Sequence, residues 1–264
     1  MKICVLGGTG FIGSFLKDSL KYDVSSPSRK VLDISNQSSV SEYLRKHHFD
    51  VIVNAAINCN SNMFAPASVA SDNLVMFSNL YSCRNMFGRY INLCSGAAFD
   101  RTKNISLAKE EDIFQSSPVD PYGMSKNICS RVCNSTDNFF TLRIFGLIHK
   151  TEIATRLIPK ILSERELILE NKHFDYFYLE DILPVICHYV EEKEPKYKDL
   201  NLVYSQKMTL FDFAEIVCTV AGLDASKIKL SKKQCFDYTG NGEKLNDIGF
   251  SFIGIEDGIK RYFS

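Results

Sequence analysis

What the chain lacks narrows it before any motif is found. Neither sign of charge is in excess, since 31 Lys and Arg balance 31 Asp and Glu over 264 residues. No overall field therefore draws it to nucleic acid or to an anionic membrane, and any anionic ligand has to be bound by local groups. No apolar run approaches the roughly 20 residues of a bilayer-spanning helix, which excludes a membrane helix. The nine cysteines include no C-x-x-C pair, and their number is odd. No secretory leader is expected either, because "KICVL" is too short for a signal core and runs into glycines. Free thiols in a reducing cytoplasm follow as the expectation. Cys129 and Cys133 share a helical face but have no neighbouring histidine, so no metal is expected. Internal repeats and low-complexity segments are also missing.

What is present is enough apolar material, 45% of residues, to fill a core. Through the first half, the β-rich runs "KICVLG", "FDVIVNAA", "RYINLCS" and "FFTLRIFG" alternate with helical stretches at 10–20, 38–47, 67–87 and 121–134. Strands that are apolar nearly throughout and separated by helices predict an α/β, doubly wound parallel sheet covered on both faces. Past residue 150 the alternation weakens into helix ("ATRLIPKILSERE"), strand ("HFDYFYLE"), helix ("DILPVICHYVEE"), strand ("LNLVYS"), helix ("LFDFAEIVCTVAG") and a short last helix near "IEDGIKRYF". Residues 1–150 are accordingly expected to form a dinucleotide-binding domain. Residues 151–264 form a smaller α+β substrate-binding lobe, of which about 173–190 returns to the main sheet.

The first run ends in "GGTGFIG", with Gly7, Gly10 and Gly13 three residues apart at the junction of strand and helix. Glycine costs roughly 1 kcal/mol against alanine inside a helix, so its repetition there needs a reason. A helix N-terminus offers unpaired N–H groups and a positive dipole end, and glycine lets a pyrophosphate approach them. Counted from Gly8, the same residues satisfy G-x-G-x-x-G. The end of the second strand then reports which dinucleotide is held. Ser25, Ser26, Ser28 and Arg29 stand there. Hydroxyls and a guanidinium suit a 2′-phosphate, which favours NADP(H) over NAD(H). Asp33 comes too late to be an acid bonded to the ribose.

A second constellation is "PYGMSK". Tyr122 and Lys126 lie four apart on one helical face, where an ammonium can hold a ribose and tune a phenol to give or take a proton. Tyr189 and Lys193 repeat the spacing in the charged end of a later helix, where Tyr189 reads as a surface residue. Context separates the two, because the helix of Tyr122 follows a strand ending "INLCSGAAF", whose Ser95 reaches the carboxyl edge of the sheet.

With these motifs in order, the chain resembles the extended short-chain dehydrogenase/reductases of the NAD(P)-dependent sugar epimerase/dehydratase family. The match continues through "LDIS", "DVIVNAA", Asn73 in the following helix, "LRIFG", "FDYFYLEDI" and "MTLFDFAEIVCTVAG". The resemblance implies a Rossmann fold and an NAD(P)-dependent oxidoreductase. It implies that Ser95 bonds the substrate oxygen, that Tyr122 is the acid/base, and that Lys126 binds the nicotinamide ribose. It further implies that Gly7, Gly10, Phe11 and Ile12 hold the pyrophosphate, Asp33 and Ile34 the adenine, and Ala55 and Ala56 the ribose side, with Gly13 and Asn73 also among the cofactor-binding residues.

Two departures bear on the reaction. Family members that remove water from the sugar carry an Asp-Glu pair after the catalytic serine or threonine, and members that epimerise beside the carbonyl carry a cysteine two residues after it. Gly96 and Ala97 stand there instead, and Cys94 points the other way along a strand of period two. Hydride chemistry at one carbon remains. The character resembles the dTDP-4-dehydrorhamnose reductase branch, with NADPH as co-substrate and a nucleotide-linked 6-deoxyhexulose as acceptor. A 4-epimerase with retained NAD, or a non-catalytic dinucleotide sensor, are the alternatives. Arg156, Lys160, Arg165 and Lys172 are available to a sugar-nucleotide pyrophosphate, Arg143 reads as a buried ion-pair partner, and His149 as a rim residue. In relatives the helices near 67–87 and 121–134 form a dimer seam, so a homodimer is expected.

Overall fold

Segments dense in Val, Ile, Leu and Phe become strands buried along nearly their whole length in the computed structural model, which describes residues 1–60, 62–233 and 235–264. The chain divides into two compact units. One comprises Met1–Asp100, Glu111–Arg143 and Val185–Leu200; the other comprises Arg101–Glu110, Ile144–Pro184 and Asn201–Ser264.

The first unit is built on β1 (Lys2–Leu6), α1 (Phe11–Ser19), β2 (Asp23–Ser25), α2 (Gln37–Lys46), β3 (Phe49–Asn54), α3 (Ser68–Ser82) and β4 (Phe87–Ser95). After β5 (Ile105–Ala108), which belongs to the second unit, come α4 (Pro121–Asn134) and β6 (Phe139–Ile144). With β10 (Asp199–Leu202), a six-stranded sheet runs β10-β6-β4-β3-β1-β2. β1 pairs in parallel with β2 and β3, and β3 with β4. Every residue of β6 is buried, as a strand with both faces covered requires. Phe77, Phe87, Tyr90 and Phe139 join one core cluster, with the Tyr90 and Phe139 rings 4.5 Å apart. Local chemistry starts the helices: the Asn36 side chain accepts from Ser39 N at 2.9 Å ahead of α2, and Asp120, followed by Pro121, accepts from Gly123 N at 2.8 Å ahead of α4.

The β6 and β10 strands are tied by charge. Arg143 Nη2 lies 2.7 Å from Asp199 Oδ2 and 2.7 Å from Ser130 Oγ, and its guanidinium stands 5.0 Å from the centre of the Phe99 ring. Both members of the pair are buried. Arg143 is thus the interior ion-pair partner that the sequence predicts.

The second unit contains β7 (Leu147–Ile148), α5 (Leu157–Ser163), β8 (Leu167–Leu169), β9 (Phe177–Tyr178), the start of α6 (Ile182–Glu191), α7 (Leu210–Ala221), β11 (Ile228–Leu230), β12 (Tyr238–Gly240), α8 (Glu243–Ile248) and α9 (Ile255–Tyr262). Its strands form two-stranded sheets, β11-β8, β12-β5 and β7-β9. α7 opens on a capping box of Thr209 and Asp212 and closes on Gly222 at φ 66°. Asp181 accepts from Tyr204 Oη at 2.5 Å and from the amides of Ile253 and Gly254 at 2.8 and 2.9 Å, fixing the entry to α9.

Several boundaries differ from the sequence expectation. The first unit's main run stops at Arg143 rather than 150, and the returning segment is Val185–Leu200 rather than 173–190. "HFDYFYLE" is strand-like in composition, but it pairs as β9 with β7 and through single bridges of His173 with Thr209 and of Phe174 with Tyr238, so it does not join the main sheet. Arg101–Glu110 joins the second unit because β5 pairs with β12. The helix expected over 67–87 ends at Ser82, after which Arg84–Met86 forms a single tight turn and Phe87 enters β4.

Removing Asp199 leaves the buried Arg143 guanidinium beside Ser130 Oγ and the Phe99 ring but without its counter-charge. Asp199→Ala is expected to lower stability by about 3–5 kcal/mol in urea unfolding, and a loss under about 1 kcal/mol would show the pair to be dispensable.

Candidate active site

The turn after β1 is shaped by backbone crowding. Gly7 has φ +80°, and a Cβ there would lie 2.7 Å from Ala56 N and 2.8 Å from Ala55 C. A Cβ on Gly13 would come within 2.1 Å of Gly7 O. Gly10 N donates to Gly7 O at 2.9 Å, and no side chain caps α1, whose first turn is Phe11, Ile12 and Gly13. These residues leave a helix N-terminus that small residues keep open, the cradle a pyrophosphate requires. Ala55 and Ala56 are held against the turn by Asn54, whose Oδ1 accepts from Ala56 N at 3.1 Å while its Nδ2 donates to Tyr90 Oη at 2.8 Å. Ser26 Oγ donates to Val5 O at 2.9 Å and fills the space beside Gly8.

Beyond β2, the Ser28 carbonyl accepts from the amides of Val31 and Leu32, each at 2.9 Å. Arg29 is exposed over 82% of its side chain, and its Nε stands 3.6 Å from Asp33 Oδ1. The hydroxyl and amide of Ser35, at 2.6 and 3.0 Å, hold the Asp33 carboxyl below the usual carboxylate range. Ile34 is buried, with its carbonyl accepting from Asn79 Nδ2 at 3.0 Å.

Ser95, Tyr122 and Lys126 lie on β4 and α4. Lys126 is buried; its Nζ donates to Leu93 O at 2.7 Å and stands 5.9 Å from the centre of the Tyr122 ring. Ser95 ends β4, and its Oγ accepts from Ala97 N at 3.2 Å. The start of α4 is pressed onto that turn, since a Cβ on Gly123 would meet Ala97 O at 2.4 Å. The Asn127 side chain donates to Ala98 O and Ile113 O at 3.0 and 3.1 Å. Asn73, also buried, accepts from Asn58 N at 2.8 Å and donates to Ser125 Oγ at 3.1 Å. Gly96 and Ala97 are buried and bring no acid or base, and the Cys94 thiol lies inside, 3.6 Å from Lys126 O.

Other expectations fare differently. Tyr189 is fully buried and donates to Tyr197 O at 2.6 Å, so it is a core residue and not a surface one. His149 is buried too, with Nδ1 2.8 Å from Thr151 Oγ1, and burial pulls its pKa below the ordinary value. Lys172 is paired with Glu170 at 2.5 Å. Sequence reasoning did not reach Asn54, Gly123 or Asn127, although the Asp-Pro preceding Tyr122 is a helix-start signal that points to Asp120.

Comparison with known proteins settles the family. The model of the NAD dependent epimerase/dehydratase family matches residues 3–202. The chain belongs to this family. It is 21% identical to GDP-L-colitose synthase of Yersinia pseudotuberculosis, over 99% of this chain and 96% of that protein. Among solved structures it shares the fold of dTDP-4-dehydrorhamnose reductase from Bacillus anthracis in complex with NADP, with a TM-score of 0.85 at 16% identity, covering 99% and 97% of the two chains. GDP-mannoheptose C4 reductase from Campylobacter jejuni, with NADP bound, superposes with a TM-score of 0.80 at 18% identity, covering 99% and 96%.

The crowding at the turn has a direct consequence for stability. Gly13→Ala forces either α1 or the Gly7 carbonyl to move, and a loss of about 1–3 kcal/mol is expected from such overpacking. A melting temperature equal to the parent's would mean the turn is looser than described.

Proposed function

We propose that the protein uses NADPH to reduce the keto carbon of a nucleotide-linked 6-deoxyhexose. One observation carries the reading: a buried lysine anchored on a β4 carbonyl stands beside Tyr122, on a helix packed against the turn that follows Ser95. That juxtaposition is what reduction of a carbonyl needs, and residues 96 and 97 offer nothing for chemistry at a neighbouring carbon.

A bound nicotinamide supplies the hydride. Tyr122 gives its proton to the oxygen as negative charge develops, Ser95 donates a hydrogen bond to the same oxygen, and the Lys126 ammonium stabilises the phenolate left behind while holding the ribose. The first-turn amides of Phe11, Ile12 and Gly13 hold the pyrophosphate, Asp33 and Ile34 the adenine, and Ala55, Ala56 and Asn73 the ribose side. Arg29 and Ser28 take the 2′-phosphate. An exposed ion pair such as Arg29 with Asp33 is worth little, so a phosphate can draw the guanidinium away. The NADP in the two reductase structures supports that preference, and the GDP- and dTDP-sugar relatives support a nucleotide sugar as substrate.

The outer faces of α3 and α4 carry the exposed side chains Val75, Met124 and Ile128, which suit them to the seam of a homodimer. Nine free cysteines fit a cytoplasmic location.

With GDP- or dTDP-linked 4-keto-6-deoxyhexoses, wild-type protein is expected to oxidise one NADPH per sugar reduced. Tyr122→Phe is expected to lower kcat by about 10²- to 10⁴-fold and to leave the affinity for NADP⁺, followed by fluorescence, nearly unchanged. Purification with tightly held NAD and no consumption of NADPH would favour the 4-epimerase. Binding without turnover would favour the sensor.

A further inference from the structure

Behind Lys126, and wholly within the first unit, lies a small cavity with room for about one water molecule. Five polar side chains line it: Asn54, Asn73, Asn92, Ser125 and Lys126. Four of them have hydrogen bonds that account for their position. Asn54 bonds Tyr90 and Ala56, Asn73 bonds Asn58 and Ser125, Ser125 Oγ donates to Tyr122 O at 2.8 Å, and Lys126 donates to Leu93 O.

Asn92 differs. It is 3% exposed, directly opposite Asn54 in the β3–β4 register, and its buried Nδ2 makes no hydrogen bond. A core amide left without a partner costs about 1–3 kcal/mol, so an apolar residue would serve a strand interior better unless something occupies the cavity. Ordered water suits such a place, because a buried water makes two to four hydrogen bonds to polar groups that otherwise lack them. Lys126 bears three N–H donors, and the Leu93 carbonyl takes one.

We propose that one ordered water sits in this cavity, accepts from Asn92 Nδ2 and from Lys126 Nζ, and makes Asn92 a positioning residue for Lys126. The water donates in turn to the oxygens of Asn54, Asn73 or Ser125. Asn92 acts through the water and touches neither cofactor nor substrate. It keeps the ammonium solvated on its inner side and leaves a third N–H to face the ribose and Tyr122. The titratable groups placed around Lys126 are Tyr122 and Cys129 on its own helix and Cys94 on β4. The water and the Leu93 carbonyl together support the charge. The role assigned to Lys126 rests on the function proposed above, whereas the water itself does not.

Two measurements separate these layers. In a crystal structure at about 1.5 Å resolution, a water within hydrogen-bond distance of Asn92 Nδ2 is expected in the unliganded protein and absent from Asn92→Leu. A dry cavity in the parent overturns the proposal whatever reaction the protein performs. In the pH profile of kcat for keto-sugar reduction, Asn92→Leu is expected to move the basic limb down by about one pH unit, the size set by one hydrogen bond to a charged group. Asn92→Asp keeps the polar contact and adds a negative charge, so its limb moves up. Stability guards against a folding artefact, since the nearly isosteric Asn92→Leu melts below the parent if it displaces a bonded water and at or above the parent if the amide was merely orphaned. Two variants whose profiles superimpose on the parent's would refute the positioning role, and a parent that turns over no keto sugar would refute the function while leaving the crystallographic result to decide the water.

Discussion

The hydrogen bond from the Lys126 ammonium to the Leu93 carbonyl, 2.7 Å long and buried, is the contact on which the candidate site depends. A charge is costly to bury unless it is bonded, so once the lysine lies inside, its helix has little freedom to slide or turn against the strand. The same register sets Tyr122 one turn earlier on α4 and Ser95 two residues later on β4. The fit is reinforced by contacts that involve no charge. Gly123 lets the helix touch the Ala97 carbonyl, Asp120 caps the first turn, and Asn127 grips Ala98 and Ile113.

The glycine turn obeys a related constraint. Its glycines are there because backbone occupies the space a Cβ would fill: the Ala55–Ala56 peptide against Gly7, and the Gly7 carbonyl against Gly13. Such close packing brings the start of α1 to the end of β1 with no side chain across it, which leaves the dipole end and the first-turn amides to face an anion. With no net charge on the chain, this local field is the means by which a phosphate can be attracted.

Much of this was legible in the sequence because it depends on short-range pattern. The bounds of α4 coincide with the helical stretch read at 121–134, and the strands of the first unit follow from unbroken apolar runs. What was not legible depends on partners distant in the chain. The composition of "HFDYFYLE" promises a strand but not that its partner is Leu147–Ile148, and the place of Asp199–Leu202 beside β6 brings together Arg143 and Asp199, 56 residues apart in the chain. Tyr189 reads as a surface residue among charges, yet it is buried with its hydroxyl bonded to the Tyr197 carbonyl. Ser95, Tyr122 and Lys126 were recognisable as a set from motif order, whereas Asn54 and Asn92 became visible when the β3–β4 register placed them side by side.

The proposed hydride chemistry at a single carbon rests on what surrounds these residues as much as on the residues themselves, because Gly96 and Ala97 are buried, small and without titratable groups. The central claim is that the anchored lysine makes Tyr122 and Ser95 converge on one oxygen. A crystal structure with NADP⁺ and a keto sugar nucleotide tests it most directly. Tyr122 Oη and Ser95 Oγ should both lie within hydrogen-bond distance of the same substrate oxygen while Lys126 keeps its bond to Leu93 O. A complex in which those two hydroxyls share no atom of the substrate would contradict the account.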